Sequence, residues 1–324
     1  MTTPTKEPTV TTSEPTTDGL AQWWPDTSCA LPQPVMASPS WWGADSRRWS
    51  VPLPFPGADG SGACGECHVK VLEPHTTAYI DVAASFAVTV AAGEAGIGPR
   101  VHHADPATRT LITEDHTGGA HTANLDLFDA ADRLDELVEL RRAVHDLPPV
   151  GRPATVFDDI RTAAAAADRA GATLPADLPW ILRLLSRAES AIVAAGFDQV
   201  PIHGDANVSN VLVVDDGGLL LVDYDCAADA DPLQDIGSML AELAPLESDA
   251  EGLFERAWGS LDRSAFARAR AYGIADQVRW GLIGSYCDAV RPATEEYSKF
   301  ADWQFLRART QLRDPGFDDR LRSI

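Results

Sequence analysis

The stretch His203-Gly204-Asp205-Ala206-Asn207-Val208-Ser209-Asn210, followed by the apolar run Leu219-Leu220-Leu221-Val222 and then Asp223-Tyr224-Asp225, constrains this chain more than any other feature. It reads H-G-D-x-x-x-x-N, a hairpin around Asp215-Asp216-Gly217-Gly218, and then D-x-D. The spacing suits phosphoryl transfer, where a protein mainly positions groups and neutralises charge. Asp205 is the candidate base that orients an acceptor hydroxyl and takes its proton. Asn210 and Asp223 are candidate oxygen ligands for Mg²⁺, a hard cation. Asp225 is either a further metal contact or a cap on local backbone. His203 is read as structural, holding the loop by hydrogen bonds. An Asx-rich turn without chemistry is the competing reading. The conjunction of both motifs with a hairpin between them argues against it.

Charge narrows the partners. The formal net charge is −22, from 48 acidic and 26 basic residues. Nucleic acid and anionic membrane are excluded, because both repel such a surface, while a cationic substrate suits it. With 324 residues, 45% of them hydrophobic, the chain can bury a large core and is long for one compact domain, so two lobes are expected. No apolar stretch reaches bilayer length and residues 1–18 lack a signal-peptide pattern, so a cytoplasmic location is expected. The five cysteines (Cys29, Cys64, Cys67, Cys226, Cys287) are odd in number and scattered, unlike a disulfide framework. Cys64-Gly65-Glu66-Cys67-His68 has the form of a haem-attachment site but no second metal half-site. A metal-free pair in a glycine-rich hairpin is preferred, with redox sensitivity as a weaker option.

The chain is read as α+β. Residues 1–18 form a polar tail expected to be disordered. Residues 19–118 form a first, nucleotide-binding lobe with a leader rich in Trp and Pro (Trp23, Trp24, Trp41, Trp42, Trp49). Residues 119–324 form a helical lobe with the catalytic loop and substrate site. The leader is a candidate lid or dimer contact, so a homodimer is one expected state. In the first lobe, strands at 50–53 and 67–72 flank the glycines of 57–62, and Lys70 alternates with apolar neighbours. A helix is expected over 78–95 and strands over 101–103 and 110–114. Helices are expected over 125–145, 160–170, 179–195, 235–243, 253–258, 263–287 and 295–312.

These residues resemble the aminoglycoside phosphotransferase and choline kinase superfamily from about residue 65 onward. Asp231-Pro232-Leu233-Gln234-Asp235-Ile236-Gly237 resembles the segment after the metal Asp in that family. Arg279-Trp280-Gly281-Leu282 and Lys299-Phe300-Ala301-Asp302-Trp303-Gln304-Phe305 resemble the choline/ethanolamine kinase branch. The resemblance implies a two-lobed, protein-kinase-like fold with a small mixed sheet in the first lobe. It implies ATP and Mg²⁺ as cofactors, with Asp205 as base, Asn210 and Asp223 on the metal, Lys70 on the nucleotide and Asp235 supporting the site. Glu114, Asp115 and His116 would meet the adenine through backbone groups.

Departures from the family pattern carry information too. Ser85 stands where the helix after Lys70 usually offers a Glu to the lysine. Gly57–Gly65 is the only candidate for the nucleotide loop. Glu242 aligns with an acidic substrate contact and Trp280 with an aromatic wall, but Ile283 replaces a second Trp and Phe300 a Tyr. A small hydroxylated acceptor bearing an amine, other than choline, is therefore implied, with a cation–π contact to Trp280. Trp303 is read as core packing. Two alternatives stand beside this one. In the first, the chain is an antibiotic phosphotransferase whose polycationic drug meets Glu242, Glu247, Asp249, Asp288, Glu295 and Glu296. In the second, it is a nucleotide-binding pseudokinase.

Overall fold

The computed structural model describes residues 20–24, 26–33, 45–52 and 66–324. Its first lobe is a five-stranded sheet in the order β1-β2-β3-β5-β4, built from Leu31–Pro32 (β1), Ser46–Val51 (β2), Cys67–Leu72 (β3), Val101–Asp105 (β4) and Thr110–Glu114 (β5). Every pairing in it is antiparallel, which refines the mixed sheet of the sequence reading. Alternation gives β3 two faces. Cys67, Val69 and Val71 pack with Trp49, Val51 and Ile112 beneath Leu20 and Trp24 of the leader. Leu72 and Leu111 pack on the opposite face against Ile80, Val82 and Phe86. The last two lie on the helix Val82–Glu94 (α1), which starts after a 3-10 turn over Pro74–Ala78; the Asp81 side chain accepts the Ala84 N–H at its N-terminus.

Strand order decides where the connections enter. β2 is entered from Asp45, at the Ser46–Leu72 end of the sheet. The expected glycine loop, Gly57–Gly65, belongs to the β2–β3 connection and lies outside the described residues, as do Cys64, Trp41 and Trp42. The strand ends that flank it, Val51 and Cys67, sit at the Glu114 end. Cys67 itself is buried on β3.

In the second lobe, four short strands and β6 frame the motif. Ala120–Thr122 (β6), Val211–Val214 (β8) and Leu219–Leu221 (β9) form one small sheet, and Val200–Ile202 (β7) pairs with Ala228–Ala230 (β10). β7 leads into His203, β8 follows Asn210, β9 leads towards Asp223 and β10 follows Asp225. The helices are Ala131–His145 (α2), Val156–Arg169 (α3), Leu178–Ala195 (α4), Pro232–Leu243 (α5), Glu247–Trp258 (α6), Arg263–Val290 (α7), Tyr297–Leu312 (α8) and Phe317–Ser323 (α9). α7 is the buried axis against which α3, α5 and α8 pack. It meets α5 at a glycine pair: a Cβ on Gly237 would lie 2.2 Å from the Ala269 carbonyl oxygen, and one on Gly273 2.5 Å from that of Gly237. α8 turns Tyr297, Ala301, Phe305 and Ala308 inward at helical spacing. Trp303 falls on the other face and is 57% exposed, which corrects its reading as a core residue. Among the described residues, no helix is long and apolar enough to cross a membrane.

Candidate active site

The loop 203–210 is held from below by buried charge. Gly204 has φ +77°, and a Cβ there would lie 2.3 Å from the Cys226 carbonyl oxygen, so the turn after His203 requires glycine. Asp235, in the first turn of α5, accepts the His203 N–H at 3.1 Å and the Gly204 N–H at 2.8 Å. Burial alone would raise its pKa, but the hydrogen bond and charge of His145 and the charge of Arg141 hold it well below the usual carboxylate range. Arg141 donates to the Asp205 carbonyl oxygen at 2.9 Å, and Arg279 donates to that of Gly204 at 2.6 Å. Arg279 is 1% exposed and also pairs with Asp276 and Asp159. The His203 ring places Nε2 3.0 Å from the Val222 carbonyl oxygen, tying the loop to the end of β9; burial lowers its pKa.

Above this base, the Asp205 carboxylate is fixed by its own loop. Oδ2 accepts from Asn210 Nδ2 at 2.8 Å and Oδ1 from the Asn207 N–H at 3.0 Å. With Nδ2 so engaged, the Asn210 side-chain oxygen Oδ1 is the atom left for a cation. Across the cleft, Asp223 adopts φ +68°, a left-handed conformation costly for a non-glycine residue and typical of functional sites. Lys70 Nζ lies 2.6 Å from Asp223 Oδ1 and 2.8 Å from Asp225 Oδ2. Ser85 Oγ donates to Asp225 Oδ1 at 2.9 Å. Arg48, directly opposite Lys70 across β2 and β3, reaches within 3.7 Å of Asp223 and 3.6 Å of Asp45. Burial opposes the charged lysine, yet Asp223 and Asp225 raise its pKa well above the usual value. Carboxylate oxygens of Asp45, Asp223 and Asp225 lie within 4.8 Å of one another. An all-oxygen, anionic donor set of this kind fits a hard divalent cation such as Mg²⁺.

Two recesses open from this point. One, of about 360 Å³, runs under the first-lobe sheet and is lined by Arg48, Lys70, Leu111, Glu114, Asp115, His116 and Leu221. Two of the amides along its edge are engaged: the Glu114 N–H bonds the Arg100 carbonyl at 2.8 Å and the Asp115 N–H that of Glu66 at 3.1 Å. The Asp115 carboxylate accepts from the Thr117 N–H at 2.7 Å and from the Ser50 hydroxyl.

The other, about 100 Å³, lies beside Asp205 and is lined by Glu242, Asp276, Gln277, Trp280, Phe300, Gln304 and Arg307. The Trp280 and Phe300 rings meet edge-on, with centroids 6.5 Å apart at 88°. Burial, reinforced by Asp205, raises the pKa of Glu242. Burial pushes Asp276 up to about 6 against the pull of Arg279, with Asp205 adding to the rise. Arg307 is anchored on the Ala241 carbonyl. Of the six acids considered for a polycation, only Glu242 lines this recess. Glu247 pairs with Arg270 and Glu296 with Lys299.

Sequence reasoning missed Asp45, Arg48, Asp276 and Arg307. Asp276 was within reach, three residues before Arg279 and so on the same helical face. Asp45 and Arg48 carry no local motif, and strand order alone brings them to Asp223.

A sheet-based lobe over a helical lobe, with a lysine and an Asp–Asn loop facing across the cleft, is the architecture of a phosphotransferase with a protein-kinase-like fold. The chain belongs to the phosphotransferase enzyme family (APH), whose model matches residues 69–273. That family is one of phosphotransferases. No curated protein matches it significantly. Among solved structures, a choline/ethanolamine kinase family protein from Mesorhizobium loti is similar, at 21% identity and a TM-score of 0.66 over 90% of this chain and 92% of the other. Choline kinase LicA from Streptococcus pneumoniae gives 13% identity and a TM-score of 0.67, covering 88% and 96%; another LicA structure contains AMP. A GDP complex of a variant aminoglycoside 2′-phosphotransferase-IIIa gives 14% identity and a TM-score of 0.59, covering 93% and 97%. At these identities the likeness establishes the fold.

Proposed function

We propose that this enzyme transfers the γ-phosphoryl group of ATP to a hydroxyl of a small amine-bearing acceptor such as an amino alcohol. The observation that carries this reading is the recess beside Asp205, which combines Trp280, Phe300, Glu242 and Asp276 around a space fit for a small molecule. An ammonium group is attracted by the two carboxylates and by the face of the indole. The larger recess suits a nucleotide, and related structures holding AMP and GDP support a purine there. With two edge amides already engaged, a base would meet Glu114–His116 through their remaining backbone groups.

In this reading the acceptor lies with its hydroxyl against Asp205. Asn207 and Asn210 fix the carboxylate, so its free lone pairs orient the hydroxyl and take its proton as the new O–P bond forms. Lys70 and Arg48 place two positive charges where the phosphates would lie. Asn210 and Asp223, with Asp45 adjacent, would hold Mg²⁺, which when bound neutralises charge on the transferring group. The polycation reading loses support because the remaining acids lie away from the recess.

The test is Mg²⁺-dependent ADP release from ATP with amino alcohols, sugars and aminoglycosides as acceptors, and Asp205→Ala as control. Release that depends on an amino alcohol and vanishes in the control is the expected result. Release only with aminoglycosides would replace this reading with the antibiotic one. ATP binding with no turnover on any acceptor would replace it with the pseudokinase.

A further inference from the structure

The helix after the Lys70 strand supplies no carboxylate to the lysine. Ser85 occupies the position where protein kinases carry the Glu that pairs with their strand lysine. Its hydroxyl is buried, carries no charge and donates instead to Asp225 Oδ1 at 2.9 Å. The second oxygen of that carboxylate, Oδ2, meets Lys70 Nζ at 2.8 Å. The lysine side chain is only 7% exposed and that of Asp225 12%, so the ion pair is shielded from solvent. Asp223 also touches the lysine, at 2.6 Å, and both carboxylates lie with Asp45 in the cluster that could hold a cation; the kinase reading gives Asp223 to the metal. A buried ammonium needs a counter-charge that stays in place when the nucleotide arrives. Asp225 meets that need, because one oxygen is tethered to α1 and the other is left for the lysine.

We propose that Asp225, tethered by Ser85, is the residue that positions Lys70 on the nucleotide phosphates. The carboxylate that protein kinases keep on the helix is here carried by the D-x-D segment, and the helix keeps only the hydroxyl that aims it. Asp225 is then a positioning residue for Lys70 and not a metal ligand. The inference rests on the kinase reading above, and it concerns nucleotide binding before any acceptor is present.

Calorimetric titration of the full chain with MgATP, without acceptor, tests it. Asp225→Asn is expected to weaken MgATP binding about tenfold or more, and Ser85→Ala about threefold, as expected for loss of an ion pair and of one hydrogen bond that aims it. Asp225→Asn added to Lys70→Met should cost almost nothing further, because both remove one interaction. Returning the carboxylate to the helix, with Ser85→Glu combined with Asp225→Asn, should recover most of the affinity. Titrating Mg²⁺ at saturating ATP should leave its apparent affinity unchanged in Asp225→Asn and lowered in Asp223→Asn. A role for Asp225 as metal ligand or simple structural support would instead make the losses additive with Lys70→Met, or abolish them at high Mg²⁺. Either result overturns the proposal, as does wild-type affinity in Asp225→Asn. Thermal melting of each variant checks folding; should the relocated variant not fold, the Lys70–Asp225 cycle decides alone. A wild-type chain that binds no ATP overturns the kinase reading and this inference together, whereas normal binding with an unaffected Asp225→Asn overturns the inference alone.

Discussion

The catalytic loop and the phosphate end of the nucleotide recess both concentrate charge, but they hold it differently. Around Asp205 the working residues are contiguous, 203–210, and the supporting charges of Asp235, Arg141 and Arg279 are almost wholly buried. Each bonds backbone groups of the loop, so the loop geometry is complete without a ligand. At the phosphate end, Asp45, Arg48, Lys70, Ser85, Asp223 and Asp225 come from separate segments and bond one another through side chains. That end balances three carboxylates against two cations. In the proposed function, a preorganised base would face the phosphate end, in keeping with the need to fix the acceptor while exchanging nucleotide.

The largest effect should fall on chemistry at the loop. Asp205→Ala is expected to lower kcat by about 10²- to 10⁴-fold, with little change in melting temperature and MgATP affinity retained. A comparable loss of nucleotide affinity would show that the two regions are not separable. Next comes the support beneath the loop. Arg279→Met strands the buried carboxylate of Asp276 and leaves Asp159 with Arg152 alone, and should cost about 3 to 5 kcal/mol of stability in denaturant unfolding. A variant as stable as the parent would mean the loop does not depend on that network.

A smaller effect concerns the acceptor recess. Trp280→Leu should raise KM for an amine-bearing acceptor by the equivalent of about 0.5 to 2 kcal/mol, leaving KM for ATP unchanged. An equal rise for both substrates would place Trp280 in packing between the regions. The pH dependence should run in one direction. Asp276 is pushed up to about 6, so it is mostly neutral at pH 5 and mostly charged at pH 7, and Glu242 is raised in the same direction. A permanently cationic acceptor should therefore bind several-fold more tightly as pH rises from 5 to 7, and a neutral sugar should show no such trend. The smallest effect is expected at Trp303, where replacement by Ser should change stability by within about 0.5 kcal/mol because the ring is exposed.

Much of the helical lobe was legible because its signals are local. α2, α4, α7 and α8 follow from helical periodicity, and the turn at 215–218 from its glycines. The strands β6, β7 and β10, of three residues each, are too short to show a period, and α9 is barely two turns. Trp303 was misjudged because composition at one position does not tell which face of an amphipathic helix it occupies. The acids of 247–296 were overvalued for a related reason: charge in sequence carries no direction, and pairing with Arg270 and Lys299 turns two of them away.

What the chain determines by itself is the chemistry available within a few residues. The Asp205–Asn210 spacing and the capping Asp at 231 act through bonds spanning two to five positions, and the hydrogen bonds within those segments follow from backbone geometry. Only the tertiary structure decides which distant charges become partners. Lys70 and Asp225 are 155 positions apart, Ser85 and Asp225 140, and Arg279 and Gly204 75. Their meeting depends on strand order and on the packing of α7, and no local propensity encodes a contact across such a span. The desolvation that raises Asp276 and the second carboxylates that hold Lys70 charged arise from the same burial.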